Sequence, residues 1–255
     1  MTYCVGMLVD EGLAMIADTR TNAGLDSISA YRKLHVAERP GERVVAVATA
    51  GNLSVTQTAL ALVREGLRLT PDDAPQTLET APSLFRCAQL VGQALRQTRT
   101  AITAGLEADA LDVSATVLLG GQIAGGVPEL YLIYGEGNFI ACGPDTPFLQ
   151  VGELKYGKPV LAGGLTHATP LSEAVKLGLI SFSTAMRCNV GVGAPFDLLT
   201  LKRDALVADQ RRIEADDPYF TDLHRRWTEA QVQVRHAMPA PPWMTGGPRL
   251  ASSRN

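Results

Sequence analysis

The sequence lacks the features that mark several large classes of protein. Positive charge is not in excess, since 23 Lys and Arg residues against 26 Asp and Glu residues give a net charge of -3. A protein that binds nucleic acid is expected to carry a basic face. No apolar run approaches the ~18 residues of a membrane-spanning helix, and the charged start of a signal peptide is missing because the first basic residue is Arg20. We therefore expect a soluble, cytoplasmic protein with neither nucleic acid nor a membrane as partner.

Cysteine is also scarce. The four residues, Cys4, Cys87, Cys142 and Cys188, form no CxxC motif, and none lies within metal-ligand spacing of another. A disulfide framework is not expected in a chain of 255 residues without an export signal. We predict buried, apolar cysteines, no metal and no cofactor.

Common catalytic and nucleotide-binding motifs are missing as well. There is no P-loop and no GxSxG elbow, and Gly191-Val192-Gly193 lacks the third glycine of a dinucleotide fingerprint, because Phe196 stands there. The histidines have neither metal-like nor triad-like spacing; they are His35, His167, His224 and His236.

What the sequence does have is a distinctive order of strands and helices. Tyr3–Val9 and Leu13–Ala17 flank a short turn and predict a β-hairpin, and Val44–Ala50 predicts a third strand. Two helices follow, then strands, one helix, strands and a last helix. This order predicts two antiparallel sheets stacked face to face with helices outside, an α+β fold, rather than the alternation of a parallel sheet. We expect a single domain over residues 1–238 and a Pro/Gly-rich tail over 239–255.

Local signals predict where some elements begin. Ser54–Gln57 has the form of a capping box at the start of a helix, and Pro159–Leu161 is a candidate short strand. Thr169-Pro170 is typical of a helix start, and this helix is predicted to run to about Arg187. Its apolar residues are too many for one buried stripe, so we expect part of the helix to face another subunit; they are Leu177, Leu179, Ile180 and Phe182.

Candidate catalytic residues lie near the beginning of the chain. Removal of Met1 would expose the α-amine of Thr2 beside its hydroxyl group, and an N-terminal threonine can be nucleophile and base at once. Asp18 ends an apolar strand, where a buried carboxylate needs a partner, and the hairpin places it beside Cys4 or Tyr3, within a residue or two of Thr2. Lys33 is the candidate partner, and its ammonium would lower the pKa of the Thr2 amine. An ordinary Asp18–Lys33 ion pair at a strand end is the alternative.

These residues resemble the start of a proteasome β subunit. In that family an N-terminal threonine, an aspartate after an apolar hairpin and a lysine about a dozen residues later form the active site; Thr2, Ala17–Arg20 and Lys33–His35 match them. Ala48–Gly51 resembles the family's alanine–glycine turn, which implies that the Gly51 N–H stabilises the oxyanion.

More closely, residues from Met1 to about Val234 resemble the Anbu family of bacterial proteasome-like proteins. The matching segments are Met1–Gly6, Thr49–Leu53, Lys155–Pro159 and Pro195–Leu198. The resemblance implies an αββα sandwich of the N-terminal-nucleophile hydrolase type and self-association into a ring or spiral. It also implies hydrolysis of peptide or protein amide bonds through an acyl-threonine intermediate on Thr2.

The chain departs from the proteasome pattern at three auxiliary positions. Proteasome β subunits have a serine and a second Asp–Ser pair around the nucleophile, whereas Glu153, Cys188 and Gly191 stand at those positions here. Three functions therefore remain open: a threonine-type peptidase, an amidase for a small molecule, and a ring with weak activity that acts as a scaffold.

Overall fold

The computed structural model describes residues 2–22, 28–104 and 112–244. Its strands are β1 (Tyr3–Val9), β2 (Gly12–Asp18), β3 (Arg20–Asn22), β4 (Ile28–Ala30), β5 (Leu34–Arg39), β6 (Arg43–Gly51), β7 (Ala115–Ile123), β8 (Glu129–Ile133), β9 (Phe139–Ala141), β10 (Phe148–Gly152), β11 (Phe196–Lys202) and β12 (Asp209–Ile213). Its helices are α1 (Leu53–Glu65), α2 (Leu84–Thr103), α3 (Lys158–Gly164), α4 (Leu171–Cys188) and α5 (Pro218–Ala237), followed by a 3₁₀ turn at Pro242–Met244.

The chain forms two compact units, one ending at Asp217 and the other beginning at Pro218. The first unit holds all twelve of these strands and α1 to α4, and the second holds α5 and the 3₁₀ turn. The single domain over residues 1–238 stays a prediction, and residues 245–255 of the predicted tail lie outside the described residues.

Two five-stranded antiparallel sheets form the centre of the first unit. The first has the order β10-β1-β2-β11-β12 and the second the order β5-β6-β7-β8-β9. Their facing sides share one buried apolar cluster, with Met15 from the first sheet and Leu118 from the second. Helices α1 and α2 cover the other face of the second sheet, and α4 covers that of the first, where the Phe182 ring contacts the rings of Tyr3 and Phe196. The predicted αββα sandwich is confirmed.

Both strands of the β1–β2 hairpin are buried along their whole length, because their two faces contact a sheet and a helix. Cys4 pairs with Ala17, so Asp18 lies one residue further, opposite Tyr3, which is one of the two neighbours that the pattern predicted. On its other side Asp18 pairs with Phe196 of β11. The carboxylate is therefore enclosed at the end of the central strands.

Two local predictions were wrong. The cap of α1 is Asn52, whose side chain accepts a hydrogen bond from the Val55 N–H at 3.1 Å, and not Ser54. Pro159–Leu161 lies in α3 and not in a strand. Proline in the first turn of a helix loses no backbone hydrogen bond, and its ring already sets the helical φ.

Helix α4 begins at Leu171, whose N–H donates to the Glu11 carboxylate at 2.8 Å. A side chain distant in sequence therefore caps this helix in place of Thr169. The expectation that its extra apolar residues face another subunit was wrong for Leu179, Ile180 and Phe182, which are buried within the chain.

The cysteines are all unpaired, and Cys4 and Cys87 are buried as predicted, whereas Cys188 is exposed. Among the described residues, no helix is long and apolar enough to cross a membrane.

Candidate functional site

Three of the predicted site residues, Thr2, Lys33 and Gly51, line one cavity of about 80 Å³. The cavity lies where β1 begins and β6 ends. Five further residues line the cavity, and three of them are threonines; they are Thr21, Thr49, Ala50, Leu53 and Thr56. The fold therefore brings together three predicted site residues that lie up to 49 positions apart in the sequence.

Asp18 lies directly behind this cavity and forms the predicted ion pair. Lys33 Nζ is 2.7 Å from Asp18 Oδ1, and the two side chains are 4% and 0% exposed. Lys33 also donates to the carbonyl oxygen of Arg20 at 2.5 Å, and Asp18 accepts from the Tyr3 N–H at 3.1 Å. Burial raises the pKa of Asp18, while the Lys33 ammonium and these hydrogen bonds oppose that rise. The lysine is thus held with its charge at the cavity wall.

The end of β6 directs a backbone N–H into the cavity. The Thr49 N–H points towards β5 and donates to the Lys33 carbonyl oxygen at 3.1 Å. N–H directions alternate along a strand, so the Gly51 N–H points to the same side. Strand β5 does not extend far enough to pair with Gly51, because β5 starts at Leu34. The preceding segment turns away, and the Tyr31 N–H donates to the carbonyl oxygen of Thr19 instead. The N–H of Gly51 therefore faces the side of β6 that β5 leaves uncovered, at the cavity that Gly51 lines.

Glycine is required at this turn for a steric reason. Gly51 has a φ of +101°, and a Cβ there would lie 2.3 Å from the carbonyl oxygen of Ser114. Any other side chain would move the backbone that carries the N–H.

The main chain of Thr2 is fixed from the other side by the end of β10. The Glu153 N–H donates to the Thr2 carbonyl oxygen at 2.7 Å. Gly152 has a φ of +83°, and a Cβ there would be 2.1 Å from the same oxygen. The close approach of these two segments defines the position of Thr2.

Glu153 and Gly191, which stand at positions where proteasome β subunits have the additional serine and the Asp–Ser pair, belong to a different hydrogen-bond network here. Glu153 accepts hydrogen bonds from the backbone N–H groups of Lys155 and Tyr156 and from the side chain of Asn189. Burial acts to raise the pKa of Glu153, but the three donors outweigh it, so that this pKa is below its usual value. The Gly191 N–H donates to Asn189 Oδ1.

Asn189 was not among the predicted site residues. Its only sequence signal is its place just after the end of a predicted helix. Together with Glu153, Cys188 and four neighbouring residues it lines a second cavity of about 420 Å³. The structure thus joins a carboxylate and an amide by a hydrogen bond at this second cavity, and the backbone N–H of the same Glu153 binds Thr2.

No protein-family model and no curated protein matches the chain, but solved structures do. The chain is 43% identical to Anbu from Pseudomonas aeruginosa, determined as a helical assembly, with a TM-score of 0.87 over 94% of this chain and 98% of that chain. It is 39% identical to Anbu (ancestral beta-subunit) from Yersinia bercovieri, with a TM-score of 0.85 over 94% and 99% of the two chains. It is 42% identical to Anbu from Hyphomicrobium sp. strain MC1, with the same TM-score and coverage.

Proposed function

The chain belongs to the Anbu family of proteasome-like proteins, and from this premise we propose that it is a threonine-type hydrolase that cleaves amide bonds of peptides or proteins. The observation that carries the proposal is the cavity that joins Thr2, Lys33 and Gly51, with Asp18 holding the lysine from behind. A hydroxyl nucleophile, a fixed cation and an N–H donor at one place are the groups that acyl transfer needs.

In the first step, Thr2 Oγ attacks the carbonyl carbon of the substrate while its proton passes to the free α-amine of the same residue. The Lys33 ammonium lowers the pKa of that amine by like-charge repulsion, so that more of it is unprotonated near neutral pH. The Gly51 N–H binds the developing oxyanion, a contribution of about 3 kcal/mol in comparable hydrolases.

In the second step, the C–N bond breaks and the Thr2 ammonium returns the proton to the leaving amine. Water then attacks the acyl-threonine ester, again with the α-amine as base. The acid product leaves and the hydroxyl group of Thr2 is restored. While Met1 is attached, the nitrogen of Thr2 is an amide and cannot accept the proton, so that cleavage after Met1 is a precondition.

Intact mass spectrometry with a peptide β-lactone tests the proposal. Thr2 Oγ opens the lactone to form an ester, and the proton ends on the released hydroxyl group, so the mass rises by that of the whole probe. We expect one probe per chain, only on chains that have lost Met1, and mapped to Thr2. Chains that lack Met1 and stay unlabelled would contradict the proposal.

A weakly active ring that binds a partner is the second candidate. It is favoured by the exchange of the family's auxiliary hydroxyl and carboxylate groups for Glu153, Cys188 and Gly191, and by the small volume around Thr2, about 80 Å³. Normal assembly together with the absence of labelling would support this candidate.

Self-association into a ring or spiral is part of the proposal, since the relative from Pseudomonas aeruginosa forms a helical assembly. At micromolar concentration, light scattering is expected to give a mass several times the 27.1 kDa of one chain. A monomer mass alone would argue against assembly, and electron microscopy would separate closed rings from spirals. We also propose a cytoplasmic location, which the unpaired cysteines support.

A further inference from the structure

A buried carboxylate that no step of the proposed reaction uses lies in the turn after β10. Glu153 is only 3% exposed. Its Oε1 accepts from the N–H groups of Lys155 at 2.6 Å and Tyr156 at 3.1 Å, and its Oε2 accepts from Asn189 Nδ2 at 2.8 Å. Both oxygens are therefore engaged, and charge-assisted hydrogen bonds of this kind are the strong ones. The negative charge is fixed in place.

Asn189 connects this turn to helix α4. It is the C-cap residue of α4, and its N–H donates to the Ala185 carbonyl oxygen at 2.9 Å. Its Oδ1 accepts from the Gly191 N–H at 3.0 Å while its Nδ2 binds Glu153. One amide side chain thus joins the end of the helix, the turn that follows it and the Glu153 turn.

The Glu153 turn is in direct contact with the main chain of Thr2. Glu153 N–H donates to the Thr2 carbonyl oxygen at 2.7 Å, and Gly152 leaves no room for a Cβ beside that oxygen. A displacement of the turn must therefore displace Thr2, and misplacement of a reacting group by about 1 Å can cost 10²-fold in rate.

We propose that Glu153 and Asn189 form an anionic clamp that positions Thr2 and puts a fixed negative charge on the residue that holds it. The Lys33 ammonium belongs to the cavity that Thr2 lines, and the Glu153 carboxylate belongs to the residue whose N–H binds the Thr2 carbonyl oxygen. The carboxylate favours the protonated amine and raises its pKa, whereas the lysine lowers it. Glu153 is a positioning residue, and its role rests on the proposed role of Thr2. Other charged or titratable side chains lie near Thr2, Glu153 and Asn189; they are Tyr3, Asp18, Arg20, Lys155 and Cys188.

Glu153→Gln is the central variant. Gln keeps the oxygen that binds Lys155 and Tyr156 but turns an NH₂ group towards the NH₂ of Asn189, so that the clamp opens. We expect the rate of β-lactone labelling to fall about 10- to 100-fold. We also expect the acidic limb of its pH profile to move to lower pH, because the amine loses a neighbouring negative charge.

Glu153→Gln combined with Asn189→Asp restores the clamp with the charge on the other residue. Gln then donates to Asp, and Asp still accepts from the Gly191 N–H. We expect the labelling rate and the acidic limb to return towards wild type. Asn189→Asp alone places two carboxylates against each other and is expected to label as slowly as Glu153→Gln.

Glu136→Gln is the matched control, since Glu136 is an exposed acid paired with Arg99, and it is expected to label like wild type. Thermal unfolding shows that each variant is folded. The clamp is refuted if folded Glu153→Gln labels at the wild-type rate with an unmoved limb, or if the double variant gains nothing over it. A wild type that is never labelled refutes instead the role of Thr2.

Discussion

Thr2→Ala is expected to abolish covalent labelling and to reduce peptide hydrolysis by about 10³-fold or more, because it removes the nucleophile and leaves only binding and the oxyanion donor. The fold is expected to survive, since Thr2 lines a cavity at the start of the chain and the loss of its hydroxyl group creates little strain. Labelling and hydrolysis rates measured beside thermal unfolding check this result.

Thr2→Ser removes the methyl group of the side chain and tests whether the hydroxyl group and the amine suffice for reaction. It keeps the hydroxyl group and the amine, so we expect reduced but measurable labelling. Ala and Ser both permit removal of the preceding methionine, and the mass of each variant verifies this step.

Thr70→Ala makes the same chemical change at an exposed position outside the cavity, and we expect wild-type rates. If Thr2→Ala hydrolysed peptides as fast as the wild type, the nucleophile would lie elsewhere and the scaffold would become the better interpretation.

Lys33→Met is expected to abolish labelling and to lower the free energy of unfolding by about 3–5 kcal/mol, because it leaves the buried Asp18 carboxylate without its counter-charge. The loss of stability is large because the Lys33 and Asp18 side chains are only 4% and 0% exposed, so that the broken ion pair is a buried one. Chemical denaturation measures the loss.

The stability deficit of Lys33→Met is expected to depend on pH in a defined direction. Without the lysine, burial raises the pKa of folded Asp18 above the unfolded value of about 3.9. The deficit is then fully present above the folded pKa, and it shrinks as the pH falls and the folded carboxyl group becomes protonated.

A second substitution separates stability from catalysis. Asp18→Asn combined with Lys33→Met replaces the ion pair by neutral groups, and we expect most of the stability to return but no labelling. Lys176→Met breaks an exposed pair with Glu173 and is expected to cost less than about 1 kcal/mol. If the double variant regained labelling, the proposed electrostatic role of Lys33 would be wrong.

The sequence determined those features that depend on residues close together in the chain. Two apolar runs around Asp10–Glu11 predict a hairpin, and the short turn permits few registers, so that Asp18 had to lie near Tyr3. The order of strands and helices predicted the sandwich for the same reason, since each element reflects its own local pattern. Residue chemistry and the hairpin pattern suggested Thr2, Asp18 and Lys33 as candidates, the resemblance favoured a catalytic set over an ordinary ion pair, and their distances came from the fold.

Only the tertiary structure decided the features that depend on segments far apart. The Gly51 N–H is left without a neighbouring strand because β5 starts only at Leu34. Glu153 and Asn189 are 36 residues apart and meet because α4 packs on the sheet that contains β10. Glu11 caps α4 across 160 residues. No local periodicity encodes such contacts, because they depend on the packing of whole elements, which is decided only when all of the buried surfaces are matched at once.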